Sequence, residues 1–219
     1  RVLAQDPYAS RNNDSPAWTK SSYHWGEPEW GYFLSQDEYV IRKDMSMLTD
    51  AGVDMIIFDV TNAVLYWDEW DVTLRTMAQM KKEGNKVPKF CFWAFNGNVI
   101  TVVHQLYDKF YKNPRYQDLW FYWDGKPLLL YNATPSVDAN VGGGEKNLAD
   151  YSDEVKQFFT LRNMWWGYYE WAGKRYVGTE GNWSFGLQLN DKKVAQMKPE
   201  QLAATWKGRY EQMSVTPAQ

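Results

Sequence analysis

Val53-Asp54-Met55-Ile56-Ile57-Phe58-Asp59-Val60-Thr61-Asn62 reads as a buried strand that runs out into an acid and an amide. Met55 to Phe58 are apolar on both faces of the pleat, which suits a strand covered on both sides. Asp59 arrives where the strand is due to end. In parallel α/β sheets, ligands are met at the carboxyl ends of the strands. A carboxylate there either caps the loop or handles a substrate.

Working outward, the same pattern repeats. Before the strand, Ser35-Gln36-Asp37-Glu38 predicts a capping box, with Ser35 as N-cap. Val40, Ile41, Met45, Leu48 and Ala51 follow at helical spacing, and Gly52 stops the helix. After it, a second helix is predicted from about Asp68 to Lys82, then a strand from Lys89 to Phe95 ending at Asn96-Gly97-Asn98. A third helix covers about Ile100 to Lys112. Leu119 to Trp123 and Pro127 to Tyr131 flank Asp124-Gly125, a hairpin turn, and the second arm ends at Asn132. Ala149 to Gln157 is weakly helical and Phe158 to Trp166 reads as another strand, leading to Tyr169-Glu170-Trp171. A polar loop is expected around Thr179 to Ser184 and a closing helix from about Pro199 to Met213.

Alternating helices and strands predict an α/β fold with a parallel sheet. A complete (β/α)₈ barrel takes ~250 residues. The expected architecture is therefore either a partial, TIM-barrel-like fold with about four to five β/α units on one domain spanning 1–219, or a smaller open sheet. The start, Arg1-Val2-Leu3-Ala4, lacks a Met and a secretory apolar segment, which reads as a processed chain or one cut from something longer.

Composition narrows the function. The net charge is -3 and there is no long basic run, which argues against nucleic acid as a partner. No apolar run reaches the ~18 residues of a membrane span. The single cysteine, Cys91, excludes an internal disulfide and reads as a buried thiol. The two histidines lack metal-ligand spacing, and neither a glycine-rich phosphate loop nor a GxSxG elbow occurs, so no cofactor or metal is expected. The aromatic content stands out, at 13 Trp, 15 Tyr and 10 Phe. An indole offers a flat apolar face and one donor, which suits the C–H face of a sugar ring.

Two passages together resemble a known group. One is the helix followed by Ala51-Gly52-Val53-Asp54 and the strand into Phe58-Asp59. The other is Trp123-Asp124-Gly125-Lys126-Pro127 followed by an apolar strand into Tyr131-Asn132. Both are similar to (β/α)₈ glycoside hydrolases of the endo-α-mannosidase and α-1,3-glucanase type and their bacterial relatives. The resemblance implies a carbohydrate substrate, an extracellular or periplasmic location, and catalysis by a pair of carboxyls at the carboxyl ends of the strands.

Glycoside hydrolysis usually needs a general acid and a second carboxylate acting as base or nucleophile. Asp59 is the best-placed candidate, its alternative being a loop cap. Glu170 lies among Trp165, Trp166 and Trp171, where desolvation would raise its pKa as a general acid requires; its alternative is a surface glutamate. Glu27, between Trp25 and Trp30, is the reserve acid or else a rim ion pair. Asn62, Asn96 and Asn132 are candidates for sugar hydroxyls, Asn62 alternatively forming an Asx turn. Trp25, Trp93 and Trp166 are candidate sugar platforms, Trp93 alternatively a core ring, and His24 neighbours the same cleft. A non-catalytic carbohydrate-binding protein on the same scaffold is the alternative function, and an aromatic protein interface the third.

Overall fold

The computed structural model describes residues 2–18, 28–95, 99–131, 150–165, 170–171, 174–175, 178–185 and 192–215; of Trp165, Glu170, Trp171, Lys174, Arg175 and Lys193 it describes the backbone alone. The helices are α1 (Val2–Gln5), α2 (Glu38–Asp50), α3 (Trp67–Lys82), α4 (Val99–Leu106), α5 (Asp153–Phe158), α6 (Lys192–Ala195) and α7 (Pro199–Leu202). The strands are β1 (Met55–Asp59), β2 (Lys89–Trp93), β3 (Tyr122–Trp123), β4 (Lys126–Tyr131), β5 (Thr160–Trp165), β6 (Glu170–Trp171), β7 (Lys174–Arg175), β8 (Asn182–Ser184), β9 (Ala204–Trp206) and β10 (Arg209–Gln212).

Five strands run parallel in the order β1-β2-β4-β5-β8, and β3 pairs antiparallel with β4. The sheet curls into half of a TIM-barrel-like wall, as the alternation of elements predicts. Its register sets side chains in rows. Asp59, Trp93, Leu130 and Arg162 are paired across four strands, so they share one face at one height. Phe58, Phe92, Leu129 and Leu161 form the adjacent row on the opposite face. The first face is the concave one, and the second faces the helices.

The helix-covered core is built of rings. Phe92, fully buried, meets Phe58, Phe90, Trp70 and Phe110 with centroids 4.5–5.5 Å apart. These spacings fall in the range where tilted and edge-on ring pairs gain beyond simple burial. Part of the aromatic excess in the composition is accounted for here. Arg42 of α2 holds Glu83 at the end of α3 through two bonds of 2.7 and 2.9 Å, fixing the two helices side by side.

The α2 cap differs from the one expected. Asp37, not Ser35, is the N-cap, and its Oδ1 accepts the backbone N–H groups of Tyr39 and Val40. A carboxylate near the positive end of a helix outcompetes a hydroxyl two residues earlier. Asp37→Ala should lower the unfolding free energy by about 0.5–2 kcal/mol, measured by urea melts, because two N–H groups lose their acceptor. Ser35→Ala should be near neutral in the same melts.

Three further expectations are corrected. Phe158 ends α5, and the strand begins at Thr160. The polar loop at Thr179 to Ser184 contains β8, which the concave core claims through Trp183. The closing helix stops after one turn at Leu202 and gives way to the β9–β10 hairpin. Lys207 and Gly208 have φ of 49° and 77°, the left-handed pair that a tight hairpin turn uses. Asp124 and Gly125 make the other such turn, with φ of 49° and 81°.

That last hairpin lies against the concave face. Glu211 of β10, its side chain 1% exposed, accepts Arg162 Nε and Nη2, each at 2.7 Å, and the indole N–H groups of Trp123 and Trp183 at 2.9 and 3.1 Å. Arg162 Nη2 also reaches Asp124 at 3.0 Å, and Asp124 takes Arg209 at 2.8 Å. Trp206 of β9 presents its ring 4.2 Å from the Arg162 guanidinium carbon. Burial alone would raise the Glu211 carboxyl, but the bonds from Arg162, Trp123 and Trp183 outweigh it and hold its pKa below the usual range.

Candidate functional site

The carboxyl end of β1 opens the concave face to solvent. Asp59 is exposed there, beside its register partner Trp93. β1 is an edge strand, so nothing among the described strands covers its outer side. Asp59 Oδ1 accepts the Thr61 N–H at 2.8 Å, a local Asx turn. One oxygen therefore orders the loop, and among the described residues no hydrogen bond engages Oδ2.

The loop that follows is tightly specified. Asn62 Oδ1 accepts the Val64 N–H at 3.0 Å, and Asn62 Nδ2 donates to the Tyr66 hydroxyl at 2.7 Å. Both readings of Asn62 are thus in play, since its amide makes the turn and its donor reaches a phenol. Ala63 and Tyr66 hold φ of 63° and 42°, a conformation that costs non-glycine residues of order 1–3 kcal/mol each. Two such residues within four positions persist because three side-chain bonds determine the loop. Asn62 is exposed, and so is Tyr66.

Trp93 stands differently. It is 2% exposed, in the concave core with Cys91, Phe95, Leu128, Leu130 and Met164. Its ring lies 5.1 Å from Phe185, which is the exposed ring at this point. In this arrangement Trp93 has no open face for a sugar, because it is packed within the concave core with Phe185 against it. Glu170 lies in β6, paired through the backbone with Arg175 of β7, on the connection between β5 and β8. Its side chain, and all of His24, Trp25, Glu27, Asn96, Asn132 and Trp166, lie outside the described residues.

The geometry adds rings that the sequence reading did not single out. The thirteen residues of α2 span ~20 Å and the five of β1 span ~17 Å. A short turn joins the end of α2 to the start of β1, so the start of α2 is level with Asp59. Gln36 Nε2 bonds Glu69 Oε1 at 3.2 Å, tying this segment to the first turn of α3 just past Tyr66. Trp30, Tyr32 and Phe33 are exposed here, with Trp30 edge-on to Tyr39 and Lys43 over both rings. A ring-dense segment reads alike whether its rings are buried or exposed, so the sequence had no signal to separate them from the core.

No family model matches the chain, and no curated protein does either. One solved structure, titled "Glycoside hydrolase-like protein", is similar with a TM-score of 0.48 and 14% identity, over 80% of this chain. The chain spans 57% of that structure's length. A likeness of this extent leaves the function to be argued from the site's own chemistry.

Other reactive groups are accounted for structurally. His104 sets Nδ1 2.8 Å from the Ile100 carbonyl and Nε2 3.2 Å from the Ser152 N–H, which fixes a neutral Nδ1–H tautomer bridging α4 to the α5 cap. Burial raises the Cys91 thiol far above its ordinary range, leaving it inert. Among the described residues no group of three His, Cys, Asp or Glu is placed to hold a metal ion, and no helix is long and apolar enough to cross a membrane.

Proposed function

We propose that this chain forms part of a glycoside hydrolase that handles its glycan at the carboxyl ends of the half-barrel strands, with Asp59 as one of the two carboxyls. The observation that carries the reading is Asp59 itself: an exposed carboxylate on the concave face, at the strand end where such sheets meet ligands, on a loop fixed by three hydrogen bonds. Asn62 and Tyr66 supply hydroxyl partners beside it, and Trp30, Tyr32 and Phe33 supply ring faces at the same level. Glu170 and Glu27 are the proposed partner acids; this chemistry uses a carboxyl separation of ~5–9.5 Å. Incubation with a panel of α-linked mannans and glucans, followed by product analysis, tests it. Released oligosaccharides that disappear in Asp59→Asn support the reading, and full activity in that variant overturns the role of Asp59.

A second reading has its own observation. Asp59 already spends one oxygen on the Thr61 N–H, as a purely structural cap would. On that reading the chain binds glycans without cleaving them. Binding on a glycan array with no product from any bound glycan would favour it.

A further inference from the structure

We infer that the chain carries a second ligand site, beside β5 and β8 on the other side of the sheet's strand order from Asp59, that takes a sugar bearing a single carboxylate. β5 begins at Thr160, yet β8 joins it only at Asn163, opposite Asn182. The space where the lower half of β8 would lie is a cavity of about 530 Å³. That volume is in the range of small-molecule sites. Arg162 takes up the Leu161 carbonyl at 3.1 Å, so an edge group left by the missing strand segment is satisfied and the gap is stable without it.

The walls are mixed in a particular way. Trp206 gives ring surface, backed by the buried Tyr131 and Phe159, and Asn163 and Asn182 bring amides. Arg162 and Arg209 together are balanced by Glu211 and Asp124, and Lys156 by Asp153 at 2.7 Å. Lys126 and Lys207 also line the cavity and enter no ion pair with the described residues, while Glu180 is a lining carboxylate whose Oε1 accepts the Lys207 backbone N–H. Two unbalanced ammonium groups against one carboxylate leave one net positive charge. A monoanion matches it; a dianion such as a phosphate monoester would be overcharged there. An indole wall and paired amides beside a single positive excess fit a uronic acid: ring C–H face, hydroxyls and carboxylate. The sugar part of this inference rests on the carbohydrate reading above, whereas the charge part does not.

The shape of the cavity depends on Gly181. Its φ is +72°, and a Cβ there would lie 3.2 Å from the Trp206 ring. Gly181→Ala should therefore strain the backbone, lower the urea midpoint and push the indole aside. Urea melts and Trp fluorescence together check this.

The test is titration calorimetry of the whole chain with galacturonate and glucuronate, with galactose and glucose as neutral counterparts. The uronates should bind at least tenfold more tightly than the hexoses, weaken as salt rises, and lose at least tenfold in Lys126→Ala/Lys207→Ala. Both lysines are exposed, so the variant should keep its melting temperature. Equal binding of acidic and neutral sugars, or unchanged uronate binding in the double variant, overturns the inference. Asp59→Asn should still bind uronate. Hydrolysis that needs Asp59 with no uronate binding defeats this site alone; lysine-dependent uronate binding with no hydrolysis of any glycan upholds it while the hydrolase reading fails.

Discussion

Glu211→Ala should destabilise the chain by about 3–5 kcal/mol in denaturant melts. That is the usual cost of leaving one member of a buried ion pair alone. Glu211 accepts two bonds from Arg162 and two from indoles, and both charged side chains are 4% exposed or less. Removing the carboxylate strands the guanidinium on the concave face with Asp124 as its remaining partner. The double variant Arg162→Met/Glu211→Leu should recover part of the loss, since a buried pair replaced as a unit by apolar groups is often tolerated. The pair also sets an acid limit. The folded pKa of Glu211 lies below the unfolded value, so its contribution is complete above the ordinary glutamate range and fades as pH falls through the depressed folded value. Melts repeated downward from pH 5 should show the wild type losing stability on this limb, and Glu211→Ala losing less.

Asp59→Asn should lower glycan turnover by ~10²–10⁴-fold, the span associated with a lost general acid or base. The amide keeps an oxygen to accept the Thr61 N–H, so the Asx turn and the loop should survive, and the melting curve should not move. A fall in turnover with an unchanged melt separates chemistry from structure. Asp59→Ala would not, because it also deletes the turn. If glycan affinity drops while no product forms even with the wild type, the binding reading takes over.

The parallel strands were legible because each is a short apolar run closed by a polar residue, and burial on two faces leaves that mark. β8 was not, because Asn182-Trp183-Ser184 has one buried ring and two polar neighbours, a loop-like string that only the concave core explains. The β9–β10 hairpin was hidden by accident of spacing. Leu202, Trp206 and Tyr210 recur every four residues as on a helix, and Lys207-Gly208 is a weaker turn signal than Asp124-Gly125. At the site, Asp59 stood out from its position alone. Trp93 read as a platform because sequence cannot tell that Phe185 and the other side chains of the concave core, from later strands, bury it. The Tyr66 hydroxyl on Asn62 depends on a loop with two positive-φ residues, which no local pattern announces.

The Arg162–Glu211 pair also gives the chain a timetable. The two residues are separated by 49 positions, with Asp124 a further 38 before Arg162. On a ribosome Arg162 emerges after Asp124 but before Glu211, its buried counter-ion, exists outside the exit tunnel. Until then the concave face holds a cation that wants water, and the inner rings cannot close over it. Assembly of the concave side is thus deferred to the arrival of the last hairpin, while the ring-packed side beneath the helices, built from earlier residues, is free to form first. A nascent chain halted before Glu211 should be protected from protease on its helical side and cut readily on the other.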